Sequence, residues 1–164
     1  MQVRKAVEKD FPAVYFMGHE TWGQGLTIDE YSKKCSESDK YDNGQWYVLE
    51  VDKKIVSSLI CYRNSFGLDA HTVGIGSVAT LPEYRKRGYV SFLMHDIVSN
   101  QDHGKDARAF LLFSDIKPEF YEKFGFKILP SHLQRYKKSI TMVRDMDNHF
   151  NLHEMKLEDL PVYF

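Results

Sequence analysis

SVATLPEYRKRGYVSFLM, residues 77–94, carries three physical signals in series. Ser77 to Thr80 ends a β-compatible run, and Pro82 breaks it. Arg85-Lys86-Arg87-Gly88 then makes a tight basic turn. Beyond it Val90, Leu93, Met94, Ile97 and Val98 recur at i, i+3, i+4, i+7 and i+8, the apolar stripe of a helix. The first amides of a helix have no intrahelical acceptor, and the helix dipole is positive there. Gly88 has no Cβ and lets a ligand approach the backbone. Arg85, Lys86 and Arg87 add positive charge around the same point, so the loop and helix start read as an anion site, most naturally for a pyrophosphate. Taken alone, a basic loop before a helix is more often solvated surface. The stretch is neither a P-loop, lacking Gly-Lys-Ser/Thr, nor a dinucleotide fingerprint, lacking G-x-G-x-x-G.

Working outward, Gln2–Val7 suits a short strand, and Asp10 offers an N-cap for a helix with Pro12 in its first turn. Phe11, Val14, Tyr15, Gly18 and Trp22 mark that helix. Thr27 caps a second one running to about Cys35, and 36–44 reads as a polar loop. Trp46–Val51 and Ile55–Tyr62 predict a hairpin across Asp52-Lys53-Lys54, followed by a strand over His71–Thr80. Gly74 and Gly76 inside that strand predict a bulge or a close backbone approach. Ala109–Phe113 fits a buried strand and 118–124 a helix ended by Gly125. Phe126–Leu129 and Ile140–Val143 close the order β-α-α-β-β-β-α-β-α-β-β. The expected architecture is α/β (α+β), a central mixed, mostly antiparallel sheet of about six to seven strands with flanking helices.

Composition narrows the function. The 164 residues suit one domain, and the formal net charge of -1 argues against a nucleic-acid binder. Cys35 and Cys61 are too few for a disulfide framework, and the seven histidines form no metal-ligand spacing. No signal peptide or membrane-length apolar run is visible, so a soluble, cytoplasmic protein with no metal, membrane or nucleic-acid partner is expected, as a monomer or homodimer. Residues 152–164 echo Val3–Phe16, including Asp-(Phe/Leu)-Pro and a Val-Tyr-Phe run. They read as a C-terminal extension forming a strand or helix edge, alternatively as the start of a second module.

Arg85-x-x-Gly88-x-Val90 resembles the R/Q-x-x-G-x-G/A acetyl-CoA signature of the GNAT superfamily of N-acetyltransferases. The run from Ser114-Asp115-Ile116 through Phe120-Tyr121-Glu122-Lys123-Phe124-Gly125-Phe126 resembles that family's second signature. Together with the element order, the resemblance covers roughly residues 2–130, within a domain of 1–150 and an extension of 151–164. The wording around both signatures is also similar to a fungal lysine acetyltransferase-like branch. Val90 departs from the usual Gly or Ala, and fits if its side chain points into the core.

The resemblance implies the GNAT fold, splayed between strands 4 and 5 to admit the pantetheine arm of acetyl-CoA. Val78, Ala79 and Thr80 would bond that arm through their backbone. Arg85, Lys86, Arg87, Gly88, Tyr89, Val90 and Ser91 would hold the diphosphate. Ser114, Phe120 and Tyr121 would line the thioester end, with Tyr121 as general acid toward the leaving thiolate. The acceptor would be a small-molecule amine or a lysine side chain, attacking directly through a tetrahedral intermediate. His71 and Glu20 are candidate bases, although each is more often a surface or structural group and a water chain can serve instead. The alternative function is a non-catalytic acyl-CoA-binding module of the same fold.

Overall fold

Strands buried along consecutive residues build the sheet on both sides of the decisive turn. The computed structural model describes residues 1–100 and 106–164. Its strands are β1 (Gln2–Lys5), β2 (Gly44–Val51), β3 (Lys54–Tyr62), β4 (Thr72–Thr80), β5 (Ala109–Ser114), β6 (Lys127–Ile128) and β7 (Ile140–Asp145). They form a seven-stranded mixed sheet in the order β1-β2-β3-β4-β5-β7-β6. The helices are α1 (Phe11–Trp22), α2 (Ile28–Ser36), α3 (Asp39–Asp42), α4 (Tyr89–Ser99) and α5 (Glu119–Glu122). This is the expected α/β class.

The chain divides into two compact units. The first is Met1–Cys61 with Ser77–Asp96. Here β1 runs antiparallel to β2, with Val3 opposite Leu49. The β2–β3 turn places Asp52 at φ 49° and Lys53 at φ 64°, the left-handed pair that a two-residue hairpin turn requires. Thr27 caps α2 as expected. Its Oγ1 accepts from the Glu30 N–H at 3.3 Å, and its own N–H donates to Glu30 Oε2 at 2.8 Å. On α1 the buried positions are Val14, Met17 and Gly18, while Phe11, Tyr15 and Trp22 are only half-buried. A methyl group on Gly18 would lie 2.7 Å from the Tyr31 hydroxyl, which shows how closely α2 approaches α1.

Two expectations need correction in this unit. Asp10 makes no cap bond to α1. A single 3₁₀ turn, Glu8–Asp10, precedes the helix, and the Asp10 carboxylate reaches back to the Val7 N–H at 2.9 Å and to Arg4 at 2.6 Å. The polar run 36–44 is not all loop, since it holds the one-turn helix α3.

The second unit is Tyr62–Gly76 with Ile97–Phe164. Thr72–Ile75 of β4 pairs in parallel with Ala109–Leu112 of β5, and β5 pairs antiparallel with β7 along Ala109–Ser114. The helix expected over 118–124 shrinks to one turn, Glu119–Glu122, and β6 shrinks to Lys127–Ile128. Gly125, at φ 84°, ends α5 as expected.

The C-terminal segment forms neither strand nor α-helix, but it is integral to this unit. Phe164 is 3% exposed and packs against Tyr62, Phe66 and Phe113. A Cβ on Gly74 would come 2.6 Å from the Phe164 ring, so Gly74 is the close approach anticipated for this strand. The echo of the N-terminus is conformational as well. Leu157–Asp159 is a second 3₁₀ turn in which Asp159 accepts from the Lys156 N–H at 2.8 Å, as Asp10 does from Val7.

Candidate active site

In the first unit the turn before α4 is shaped by two left-handed residues. Lys86 has φ 61° and Gly88 φ 81°. Alternation of right- and left-handed backbone turns successive N–H groups toward one side and makes an anion-binding concavity. The first intrahelical bond of α4 runs from the Phe92 N–H to the Gly88 carbonyl at 2.9 Å, so the amides of Gly88, Tyr89 and Val90 precede the i→i−4 ladder. A Cβ placed on Gly88 would meet nothing within 4 Å, so the space over this turn is open.

The basic side chains are not all aimed at that space. Arg85 Nη2 pairs with Glu20 at 2.6 Å, and its Nε donates to the Thr80 carbonyl at 3.1 Å. Arg85 is thus an anchor that ties the end of β4 to α1, and Glu20 is committed to it. The Arg87 guanidinium lies over the Tyr84 ring at 5.4 Å, and Tyr84 is tilted against Tyr89 at 6.0 Å. Lys86 is exposed. Val90 is half-buried, whereas Leu93 and Met94 are fully buried. The expected inward orientation of Val90 is therefore only partly realised, because the first turn of α4 projects beyond the core.

Strand β4 changes character at Ser77. From Thr72 to Gly76 it is buried, and from Ser77 to Thr80 half-buried. Ser77 has φ 47°, uncommon for a non-glycine residue and rarer still within a strand. Burial pushes the Tyr41 phenol up, and the nearby Ser77 side chain draws it back down. The end of β4 is held by Ser57 Oγ to Thr80 Oγ1 at 2.7 Å and by the Leu81 N–H to the Val56 carbonyl at 3.0 Å. Val78 and Ala79 lie on the half-buried stretch between these anchors.

In the second unit, Ser114 ends β5 and is 2% exposed. Its Oγ donates to the Ile116 carbonyl at 2.8 Å, which fixes the turn into α5. Phe120 packs edge-on against Tyr121 at 4.9 Å and carries Lys123 Nζ over its face at 4.3 Å. Tyr121 is 7% exposed. Burial pushes its phenol well above the usual range, and the charges of Asp115 and Tyr163 push it further.

His71 stands apart from these residues. It immediately precedes β4, whereas Val78–Thr80 are the last three residues of that strand. It lines a groove of about 620 Å³ with Asp69, His149, Phe150, Asn151 and Glu154. Its N–H donates to Asp69 Oδ1 at 2.7 Å, and its ring meets His149 edge-on at 6.0 Å. Among the described residues no group of three or more His, Cys, Asp or Glu side chains could hold a metal ion, and no helix is long and apolar enough to cross a membrane.

Three features escape sequence reading. Ser77 and Tyr41 lie 36 positions apart, Arg85 and Glu20 lie 65 apart, and Asp115 and Tyr163 lie 48 apart. No local pattern links such pairs.

The model of an acetyltransferase (GNAT) domain matches residues 2–129. A search of curated proteins finds no match. Among solved structures, a GNAT family N-acetyltransferase (YhbS) from Escherichia coli in complex with CoA superposes with a TM-score of 0.67 at 18% identity, covering 88% of this chain and 81% of that one. N-acetylglutamate synthase from Neisseria gonorrhoeae, complexed with coenzyme A and N-acetyl-glutamate, gives 0.66 at 19% identity, covering 88% and 35%. A probable N-acyltransferase from Enterococcus faecalis gives 0.60 at 20%, covering 78% and 32%. The chain spans about a third of the length of these last two proteins. The likeness reaches the family and not a fungal lysine acetyltransferase-like branch. By the span of that match and the fold it forms, the chain belongs to the GNAT acetyltransferase family.

Proposed function

We propose that the protein is an N-acetyltransferase that moves the acetyl group of acetyl-CoA to a primary amine. The observation that carries this reading is the open, left-handed turn at Lys86 and Gly88 ahead of α4, a cradle for the cofactor's diphosphate. CoA in the E. coli and N. gonorrhoeae neighbours supports it. The half-buried backbone of Val78, Ala79 and Thr80 would bond the pantetheine arm, in the part of β4 that follows the left-handed Ser77.

The chemistry follows from what acyl transfer demands. A neutral amine attacks the thioester carbonyl carbon. The carbonyl oxygen becomes an oxyanion, and a β4 backbone N–H near Val78 or Ala79 is the donor suited to it. The C–S bond then breaks, and the thiolate takes a hydrogen bond or a proton from Tyr121. Because burial raises the Tyr121 phenol, it stays protonated throughout the working pH range. The proton lost by the amine leaves through water. Glu20 is held by Arg85 and His71 lies ahead of β4, so neither is assigned as base.

Calorimetry with CoA and acetyl-CoA tests the first step, and release of free CoA on adding amines tests the second. The Tyr121→Phe variant should bind acetyl-CoA as the parent does and lose about 10²-fold or more in turnover. Turnover equal to the parent's would remove Tyr121 from the chemistry. Acetyl-CoA binding without turnover on any amine would favour a non-catalytic sensor of the same fold.

A further inference from the structure

We propose that the acceptor carries a second positive charge, which Asp115 receives beside an aromatic shelf formed by Phe113, Tyr136 and Tyr163. The inference rests on the acetyl-transfer reading above and names its substrate class. Asp115 directly follows Ser114 at the end of β5 and is exposed. Neutral donors orient its carboxylate: Tyr163 Oη donates to Oδ2 at 2.9 Å, and Ser139 Oγ donates to Oδ1. Among the described residues no lysine, arginine or histidine forms an ion pair with it. Asp10 shows the contrast, being neutralised by Arg4 within its own unit. Asp115 is thus oriented but left with its charge.

The shelf is rigid. Phe113 stacks on Tyr163 at 5.1 Å and meets Tyr136 edge-on at 5.3 Å, while Tyr136 and Tyr163 meet at 5.4 Å. Tyr136 Oη accepts from the Tyr163 N–H at 2.9 Å, and Phe164 buttresses Phe113 from within the core. Tyr163 remains 41% exposed. A carboxylate beside aromatic faces attracts an ammonium by charge and by the ring quadrupole together. Asp115 and Tyr163 both act electrostatically on the Tyr121 hydroxyl, the group that the acetyl-transfer reading assigns to the leaving thiolate.

The charge cannot belong to the attacking nitrogen. That nitrogen must be neutral to react, and a carboxylate against it would hold it as an ammonium. Asp115 therefore fits a second, non-reacting cationic group of a diamine-like acceptor. Lys137 and Lys138 are exposed between Tyr136 and Ser139 and would oppose such a ligand, so the test must read the net preference.

The test compares 1,4-diaminobutane, n-butylamine and β-alanine as acceptors, measured by release of free CoA. The parent protein should favour the diamine over the monoamine by about tenfold in kcat/KM. In Asp115→Asn that ratio should fall to about one to threefold, with acetyl-CoA affinity unchanged by calorimetry. Tyr163→Phe keeps the ring but drops the bond to Asp115, and should lower the ratio in part; it serves if Asp115→Asn does not fold. Equal use of diamine and monoamine by the parent overturns the proposal. A preference that survives in both variants, or turnover confined to β-alanine, does the same. Failure of the parent to bind acetyl-CoA would instead strike down the acetyl-transfer reading itself.

Discussion

Replacing Gly88 separates the backbone's part in anion binding from its part in folding. Any L-residue at φ 81° meets left-handed strain of about 1–2 kcal/mol, but nothing lies within 4 Å to clash with a Cβ. Gly88→Ala and Gly88→Glu should therefore lose similar stability, about 1–2 kcal/mol in denaturant unfolding. They should differ in binding. A carboxylate about 4 Å from a diphosphate charge costs about 1 kcal/mol per charge pair at the dielectric of water and about 4 kcal/mol at that of a protein surface. Gly88→Glu should thus weaken CoA by about 5- to 700-fold beyond Gly88→Ala, since about 1.4 kcal/mol is tenfold. Calorimetric titration with CoA, with folding checked by circular dichroism, measures this. The excess loss should shrink as salt screens the repulsion. A folded Gly88→Glu protein that binds CoA as tightly as Gly88→Ala would refute the cradle.

Gly74→Ala should destabilise the protein by about 1–3 kcal/mol, because the added methyl meets the Phe164 ring at 2.6 Å and Leu68 at 2.8 Å; unchanged urea unfolding would show that the tail is not packed there. Asp10→Asn should cost about 1–3 kcal/mol, since it removes the buried carboxylate that accepts from Arg4 and the Val7 N–H while Glu50 still pairs with Arg4. The hydrogen bond from Arg4 holds the Asp10 carboxyl below its ordinary value, so its contribution is full above about pH 4 and is lost as pH falls through the lower folded value. An acid unfolding curve for Asp10→Asn that parallels the parent's would refute this. Glu20→Gln should change stability by less than about 1 kcal/mol, as an exposed ion pair does, and should leave the pH–rate profile intact; loss of the acid limb would restore Glu20 as a base.

Local chemistry determined much of this protein from the chain alone. The helix after Gly88 and the turn before it were legible because helical periodicity and glycine's tolerance of positive φ act within a few residues. The same holds for the Thr27 cap and for Gly125 at the end of α5. The short elements were less legible. Two-residue β6 and one-turn α3 and α5 contain too few residues for a period to show, and tertiary contacts set their bounds.

Tertiary structure alone decided which charges and hydroxyls meet. It took Arg85 and Glu20, two candidates for different tasks, and joined them to each other. It gave Ser77 of β4 a left-handed backbone and filled the space over Gly74 with Phe164. It set Tyr163 on Asp115 near the buried Tyr121 hydroxyl. Such pairings depend on how distant segments pack, and sequence spacing carries no signal for them. Backbone conformation is dictated by neighbours along the chain, whereas a side chain's partner and ionisation are dictated by neighbours in space.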